Sequence, residues 1–398
     1  MRNRKKWLLR GCIVIALVTI CGWRQKLDKD FLELTTCPAC YGKEFCRDIL
    51  DDELTRGKKI TLASYSRWKI MRLLNVKNVY YAERNKVPLV LKKLGHDSEL
   101  QEFNTNLCEA DKQVAGCDIT EAIQSLLLKS KNNVAQVVSR FPLLFEMSEG
   151  VKCNHRRVLY HLFDNFLKID NEPNQHHHFL TLLAVNMEPL ILNAYRNGWF
   201  PALIGMCGRA IVEEYVGPTL TQFGEASWLS RADYARQLLE MAQDFTNGEF
   251  RLYLTDVSLD NFAVDPHGKV KIIDAENIVM VDPTTDGLDR SEHINEGFGC
   301  WDCLSFSYED LCGHIFADHN YFAVCKGMLS SQSFSRDLPK GLLHSPPDWV
   351  MEQHPTFFSL VEDCARPSSH STTLPRRSDA AAALHTQLLQ ILQKSGKA

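Results

Sequence analysis

No block of like charge stands out in this chain of 398 residues. Its 45 Lys and Arg nearly balance its 49 Asp and Glu, leaving a formal net charge of −4. A nucleic-acid partner, which asks for a basic face, is therefore not expected. No internal repeat is visible, which excludes solenoids and propellers. No Asn-x-Ser/Thr sequon occurs, so N-glycosylation gives no support for a lumenal location. Apolar residues are not lacking: at 45% hydrophobic and 24% charged, the chain reads as globular rather than disordered.

The N-terminus departs from the even charge spread. Arg2, Arg4, Lys5, Lys6 and Arg10 lead into an apolar run from Gly11 to Trp23, the pattern of a secretory signal peptide or short signal anchor. Counted from Trp7, the run is about 17 residues, near the lower limit for crossing a bilayer. Its basic flank predicts a cytosolic N-terminus and a lumenal remainder. Thr19-Ile20-Cys21 is only a fair match to a cleavage site. Uncleaved, the run anchors the chain to the membrane.

Cysteine usage points to the same compartment. Of fourteen cysteines, Cys12 and Cys21 lie in the apolar run, and the other twelve form an even number, as disulfides require. Two CxxC pairs, Cys37/Cys40 and Cys300/Cys303, would suggest zinc or redox chemistry in the cytosol. Behind a signal segment, disulfides are the expectation. The connectivity stays open.

Residues 24–64 read as a polar, Cys-bearing stem. Asn78–Ala82 and Val87–Leu91 are β-prone and flank a polar Glu83-Arg84-Asn85-Lys86, predicting a hairpin. Residues 97–145 have helical character, and 155–197 hold two further helices. His176, His177 and His178 are placed in a solvated loop between those two, since adjacent side chains diverge from any one metal. Strand character returns over 199–220. Ser230 and Asp233 resemble a capping box, opening a helix with Ala235, Leu238, Leu239, Ala242 and Phe245 on one face. A Cys-rich helical region is expected after residue 290, a linker over 366–379, and a last short helix with Leu384, Leu388 and Leu392 aligned.

The chemistry concentrates in residues 252–277. Phe262-Ala263-Val264 and Lys269-Val270-Lys271-Ile272-Ile273 read as strands, joined by a turn at Asp265-Pro266-His267-Gly268. A hairpin returns its ends to each other, so Asn261 and Asp274 come side by side, with Asp256 on the loop just before. Two carboxylates and an amide at that mouth make an oxygen-ligand site for Mg²⁺ or Mn²⁺ bound to nucleotide phosphates.

These residues carry a resemblance. Asp256-Val-Ser-Leu-Asp-Asn261 has the spacing of a protein-kinase catalytic loop, and Asp274 falls where the kinase metal-binding Asp follows. Leu89-Val90-Leu91-Lys92 looks like the strand bearing the phosphate-pairing Lys, and Glu213-Glu214-Tyr215-Val216 resembles the hinge. With Cys37-Pro-Ala-Cys40-Tyr-Gly, Leu74-Asn-Val-Lys-Asn-Val-Tyr80, Val90-Leu-Lys-Lys-Leu-Gly95 and Ile273-Asp-Ala-Glu-Asn277, the chain resembles the divergent protein kinase family two, the deleted-in-autism proteins of the Golgi and secretory pathway.

The resemblance implies an α+β, bilobal kinase-like fold with a disulfide-rich N-terminal stem and a C-terminal helical region. It divides the chain into a signal segment (1–23), stem (24–64), N-lobe (65–216), C-lobe (217–365) and tail (366–398). It implies ATP with Mg²⁺ or Mn²⁺, and a lumenal or extracellular protein as partner. Asp256 is then the base, Asn261 and Asp274 the metal ligands, and Lys92 the phosphate cation, oriented by Glu99 or Glu102; Glu213 and Tyr215 belong to the nucleotide-binding hinge. The sequence also departs from kinases. Leu73 to Arg84 contains no glycine, Leu254-Thr255 replaces the His-Arg before the base, and Ala275-Glu276 replaces Phe-Gly after Asp274. The alternative is an inactive pseudokinase acting as a secreted ligand.

Overall fold

The structure, a computed structural model, describes residues 29–52, 63–64, 79–95, 97–112, 117–146, 148–153, 155–295, 304–331, 333, 340–366 and 376–396. The N-terminal signal run, the Cys300/Cys303 pair and most of the 366–379 linker lie outside the described residues. Among the described residues, no helix is long and apolar enough to cross a membrane. The chain divides into two units. The first draws on Met1–Asn132, Phe166–Pro189 and Ala202–Tyr215, the second on Asn133–Asn165, Leu190–Pro201 and Val216–Ala398. Two segments within 65–216 thus pack with the second unit.

The first unit is built on an antiparallel sheet ordered β1-β2-β3-β5-β4, comprising β1 (Ala63–Ser64), β2 (Val79–Arg84), β3 (Val87–Lys93), β4 (Leu203–Cys207) and β5 (Ala210–Glu214). Between β2 and β3 stand only Asn85 and Lys86, both at positive φ (52° and 67°), the turn handedness that matches strand twist. Strand alternation then sorts β3. Leu89 and Leu91 share a face with Val212 through the register Leu91↔Val212, and they pack with Leu32 and Ile49 of the stem. The stem is therefore part of this core. Cys46 is bonded to Cys207 across a separation of 161 residues, and Gly42 bridges Gly208. Gly208 sits at φ 61°, where a Cβ would lie 1.9 Å from the Leu32 carbonyl oxygen, so only glycine lets the stem approach.

Helices α1 (Asp97–Ala110), α2 (Ile119–Lys129) and α5 (Gln175–Val185) complete this unit, with Cys108–Cys117 stapling α1 to the approach of α2. The loop expected at His176–His178 is instead the first turn of α5, and His177 and His178 are buried. The apolar run that follows them extends the helix backwards, and the buried Asp170 carboxylate meets His178 Nδ1 at 2.6 Å. Polar residues can enter a core when a partner is already there.

The second unit contains α3 (Val134–Arg140), α4 (Arg156–Phe166), most of α6 (Glu188–Ala194), α7 (Trp228–Asn247), β6 (Arg251–Leu254), β7 (Phe262–Val264), β8 (Val270–Ile272), β9 (Ile278–Val281), β10 (Asp289–His293), α8 (Tyr308–Gly313), β11 (His314–Ala317), α9 (His319–Val324), α10 (Asp348–Gln353), α11 (Phe357–Ala365) and α12 (Arg377–Lys394). The cap of α7 is Ser227, which accepts from the Ser230 amide at 3.2 Å, three residues earlier than the capping box expected from sequence; buried Trp228 draws that turn into the core. The region after residue 290, expected to be helical, includes the parallel pair β10–β11. Leu384, Leu388 and Leu392 of α12 are fully buried. Cys153–Cys312 and Cys325–Cys364 join distant segments. With Cys37–Cys40, the five disulfides among the described residues indicate an oxidising secretory or extracellular environment.

Strand β6, which leads into Asp256, is clamped from α9. Asn320 accepts from the Leu254 amide at 3.0 Å and donates to the Leu252 carbonyl at 2.9 Å. His319 Nε2 donates to the Leu254 carbonyl at 2.7 Å, and its Nδ1 accepts from the Asn295 amide at 3.0 Å. Those partners fit the neutral ring, and full burial pulls its pKa down to about 4.

Two outcomes follow from this architecture. Replacing Cys46 and Cys207 together by Ala should cost roughly 2–5 kcal/mol, read from denaturant midpoints; an unchanged midpoint would remove the stem from the core. His319 has a folded pKa below the usual imidazole value near 6.5, so its contribution is intact above about pH 6.5 and is lost as pH falls towards 4, by about 3 kcal/mol at most. Buried His177, also lowered to about 4, acts in the same sense, whereas Glu44, raised to about 7 by burial, acts in the opposite one. The measurement is therefore the difference in thermal midpoint between wild type and His319→Gln, which should shrink from pH 7 to pH 4. A constant difference rejects the neutral clamp.

Candidate functional site

The site in the second unit starts from the loop after β6. Val257 and Leu259 are buried and pin that loop inward. The residues flanking this pair face out, so Asp256 and Asp260 are exposed. Asp260 accepts from the Thr221 hydroxyl at 2.7 Å. The chain then turns through Leu259–Asn261 into β7, which pairs with β8 in the register Phe262↔Ile272. The connecting turn is closed by Asp265, whose carboxylate accepts from the His267 and Lys269 amides at 2.8 and 2.9 Å. Gln237 of α7 carries the hairpin, donating to the Gly268 carbonyl at 2.8 Å and accepting from the Val270 amide at 2.9 Å.

At the open end of the hairpin the candidate residues meet. Asn261 is buried, its Nδ2 donates to the Asp256 carbonyl at 3.3 Å, and its own carbonyl accepts from the Ile273 amide at 2.9 Å. Asp274 is the next residue. The Asp256 carboxylate has Asn277 Nδ2 at 3.5 Å, and the Thr255 hydroxyl donates to the Asn277 carbonyl. Asn261 thus ties Asp256 through its side chain, and the strand that leads to Asp274 through its main chain.

In the first unit, Lys92 on β3 is buried, at 7% exposure. The registers Lys92↔Ile211 and Val90↔Glu213 put Lys92 and Glu213 on the sheet face opposite Leu91. Lys92 Nζ lies 2.8 Å from Glu213 Oε1 and 2.9 Å from Glu188 Oε1. Glu99 and Glu102, the acids expected from sequence to orient the lysine, lie on α1. Glu188, at the first turn of α6, and Glu213, expected as a hinge residue, both meet the ammonium. Tyr215 sets its ring edge-on to Tyr81 with centroids 5.3 Å apart, and Tyr215 is the last residue of the unit.

Glu188 escaped the sequence reading although a signal existed. Asn186 accepts from the Glu188 amide at 3.0 Å, and Asn-x-Glu-Pro is a helix start with an acid in its first turn. His319 and Asn320 had no sequence signal, since their partners are main-chain atoms about 65 residues away.

A family profile described as the protein-kinase domain of FAM69 matches residues 179–367. The human protein named Divergent protein kinase domain 2A is 34% identical over 379 residues, covering 87% of this chain and 86% of its own, and the mouse protein of that name matches equally. Mouse Divergent protein kinase domain 2B is 24% identical over 327 residues, covering 76% of this chain and 73% of its own. The fold is accordingly kinase-like, and the chain belongs to the divergent protein kinase domain 2 family.

Proposed function

We propose that this chain binds ATP with Mg²⁺ or Mn²⁺ and transfers phosphate to a hydroxyl of a lumenal or extracellular protein, acting in the Golgi or endoplasmic reticulum lumen or after secretion. The observation that carries the reading is the tie from Asn261 to both the Asp256 carbonyl and the Ile273 amide. The donors fit the cation: a carboxylate from Asp274 and an amide oxygen from Asn261 are hard ligands with no sulfur or imidazole among them. When bound, the ATP–metal complex supplies the transferable phosphoryl group and offsets its charge. Asp256 accepts the proton of the acceptor hydroxyl at its exposed carboxylate. Asn261 fixes the loop that aims Asp256. Lys92 offers its ammonium to phosphate oxygens.

One observation favours the second reading, an inactive kinase-like ligand. Glu188 and Glu213 both hold the Lys92 ammonium, and an incoming phosphate must compete with these two carboxylates for it.

The two readings separate in two variants. Asp274→Ala should abolish metal-dependent nucleotide binding in a thermal-shift titration. Asp256→Ala should keep binding and lower transfer by roughly 10²–10⁴-fold. If both variants fold, bind and signal as wild type does, the catalytic reading fails and the ligand reading stands. Lys92→Met is a poor control for activity. It removes the ammonium that both buried carboxylates contact and should cost about 3–5 kcal/mol of stability, measurable by denaturant unfolding; a loss below about 1 kcal/mol on that scale shows the cluster is solvated.

A further inference from the structure

The segment after β9 contains the same short pattern twice: Asp289-Arg-Ser-Glu-His293 and Asp310-Leu-Cys-Gly-His314. The kinase-type chemistry uses neither. The parallel pairing of β10 with β11 sets Asp289 opposite His314, so the two motifs cross and each histidine faces the aspartate of the other. His293 Nε2 lies 3.8 Å from Asp310 Oδ2, and His314 Nε2 lies 3.9 Å from Asp289 Oδ2. The two rings are 5.0 Å apart between centroids. One ligand atom each from His293, Asp310 and His314 falls within 4.8 Å of the others, the one such group among the described residues.

We propose that His293, His314 and Asp310, completed by Asp289, form a zinc site that clips β10 to β11 and α8. Four features support it. The two imidazole–carboxylate gaps are too long for hydrogen bonds, but they are close to the spacing of donors around one ion. Tetrahedral ligands at zinc distances stand about 3.4 Å apart, so small side-chain rotations close the set. His314 is already oriented: its Nδ1 donates to the Asp310 carbonyl at 2.8 Å, which fixes the tautomer and leaves Nε2 as the ligand nitrogen, the arrangement seen at metal-bound histidines. Two neutral imidazoles and two carboxylates balance a doubly charged ion. Finally the frame is rigid, because Cys312, midway between Asp310 and His314, is bonded to Cys153.

The clip has a structural consequence. The His293 carbonyl accepts from the Asp318 amide at 3.0 Å, and the two residues after Asp318 are the clamp on β6. Zinc here stiffens the support of the loop bearing Asp256 without touching it.

The test uses the full chain with its disulfides intact and no polyhistidine tag. After equilibration with Zn²⁺ and dialysis, elemental analysis should find one zinc per chain, and Zn²⁺ should raise the thermal midpoint. Co²⁺, used as a probe, should give the strong visible bands of a tetrahedral ion. His293→Ala and His314→Ala should lose both the metal and the bands. Asp289→Asn, at an exposed side chain and with the Oδ1 acceptor for the Ser291 amide retained, should weaken binding roughly 10–100-fold; it keeps the test decisive should a histidine variant misfold. A wild-type chain without zinc or cobalt bands overturns the proposal. So does zinc that survives in the His293→Ala/His314→Ala double variant, or an Asp289→Asn affinity equal to wild type.

Discussion

The phosphotransfer arrangement proposed for the second unit depends on one residue. Asn261 donates from its side chain to the Asp256 carbonyl and accepts, through its main chain, from Ile273. These two bonds turn a short hairpin into a device that sets the proposed base and the proposed metal ligand from residues 18 positions apart in sequence, Asp256 and Asp274. An apolar residue at 261 would keep the hairpin, because β7 and β8 pair through their main chains. It would release the loop before it. The spacing of the Asp-x4-Asn motif thus has a mechanical reason. Four intervening residues are what it takes to leave β6, make one tight turn and bring the amide back under the carbonyl.

That device is held by layers that do not take part in it. Gln237 of α7 seats the turn, while His319 and Asn320 of α9 seat β6. Asp318 in turn pairs with Arg377 of α12, and Arg377 donates to the Asn295 carbonyl at 3.0 Å. A buried charge pair of this kind adds little to stability by itself, yet losing one partner is costly. The chain of contacts runs from the last helix to the loop bearing Asp256 within one unit, so damage to α12 should reach Asp256 through Asp318, His319 and β6.

The hairpin at 79–93 and the one at 262–273 were legible in sequence because both depend on local rules, strand alternation and turn chemistry. The helix with Leu384, Leu388 and Leu392 was legible for the same reason. What could not be read depends on partners remote in the chain. Glu188 acquires its role only when the sheet brings Lys92 to it, 96 residues away. His177 and His178 looked like solvated loop because three histidines are polar, and the buried Asp170 that accommodates His178 is invisible to periodicity. The stem looked separate from the domain, because nothing local reports that Gly208 leaves room for the Leu32 carbonyl. The even cysteine count pointed to disulfides but not to Cys46–Cys207 or Cys153–Cys312, whose separations of 161 and 159 residues are set by the fold.

The charge balance around Lys92 bears on how such a site can work. In a protein kinase one acid orients the lysine, leaving the pair neutral and the ammonium available to phosphate. Here Glu188 and Glu213 both contact it, so the phosphate of the proposed nucleotide competes with two carboxylates for the ammonium. A divalent cation brought with the nucleotide offsets their negative charge. Affinity should then depend on cation concentration more steeply than in a kinase with a single acid. Glu213→Gln tests this, because it removes one negative charge and keeps the shape. It should strengthen nucleotide binding at low divalent concentration, as measured by thermal shift. If Glu213→Gln weakens binding instead, the second carboxylate is itself a ligand for the cation.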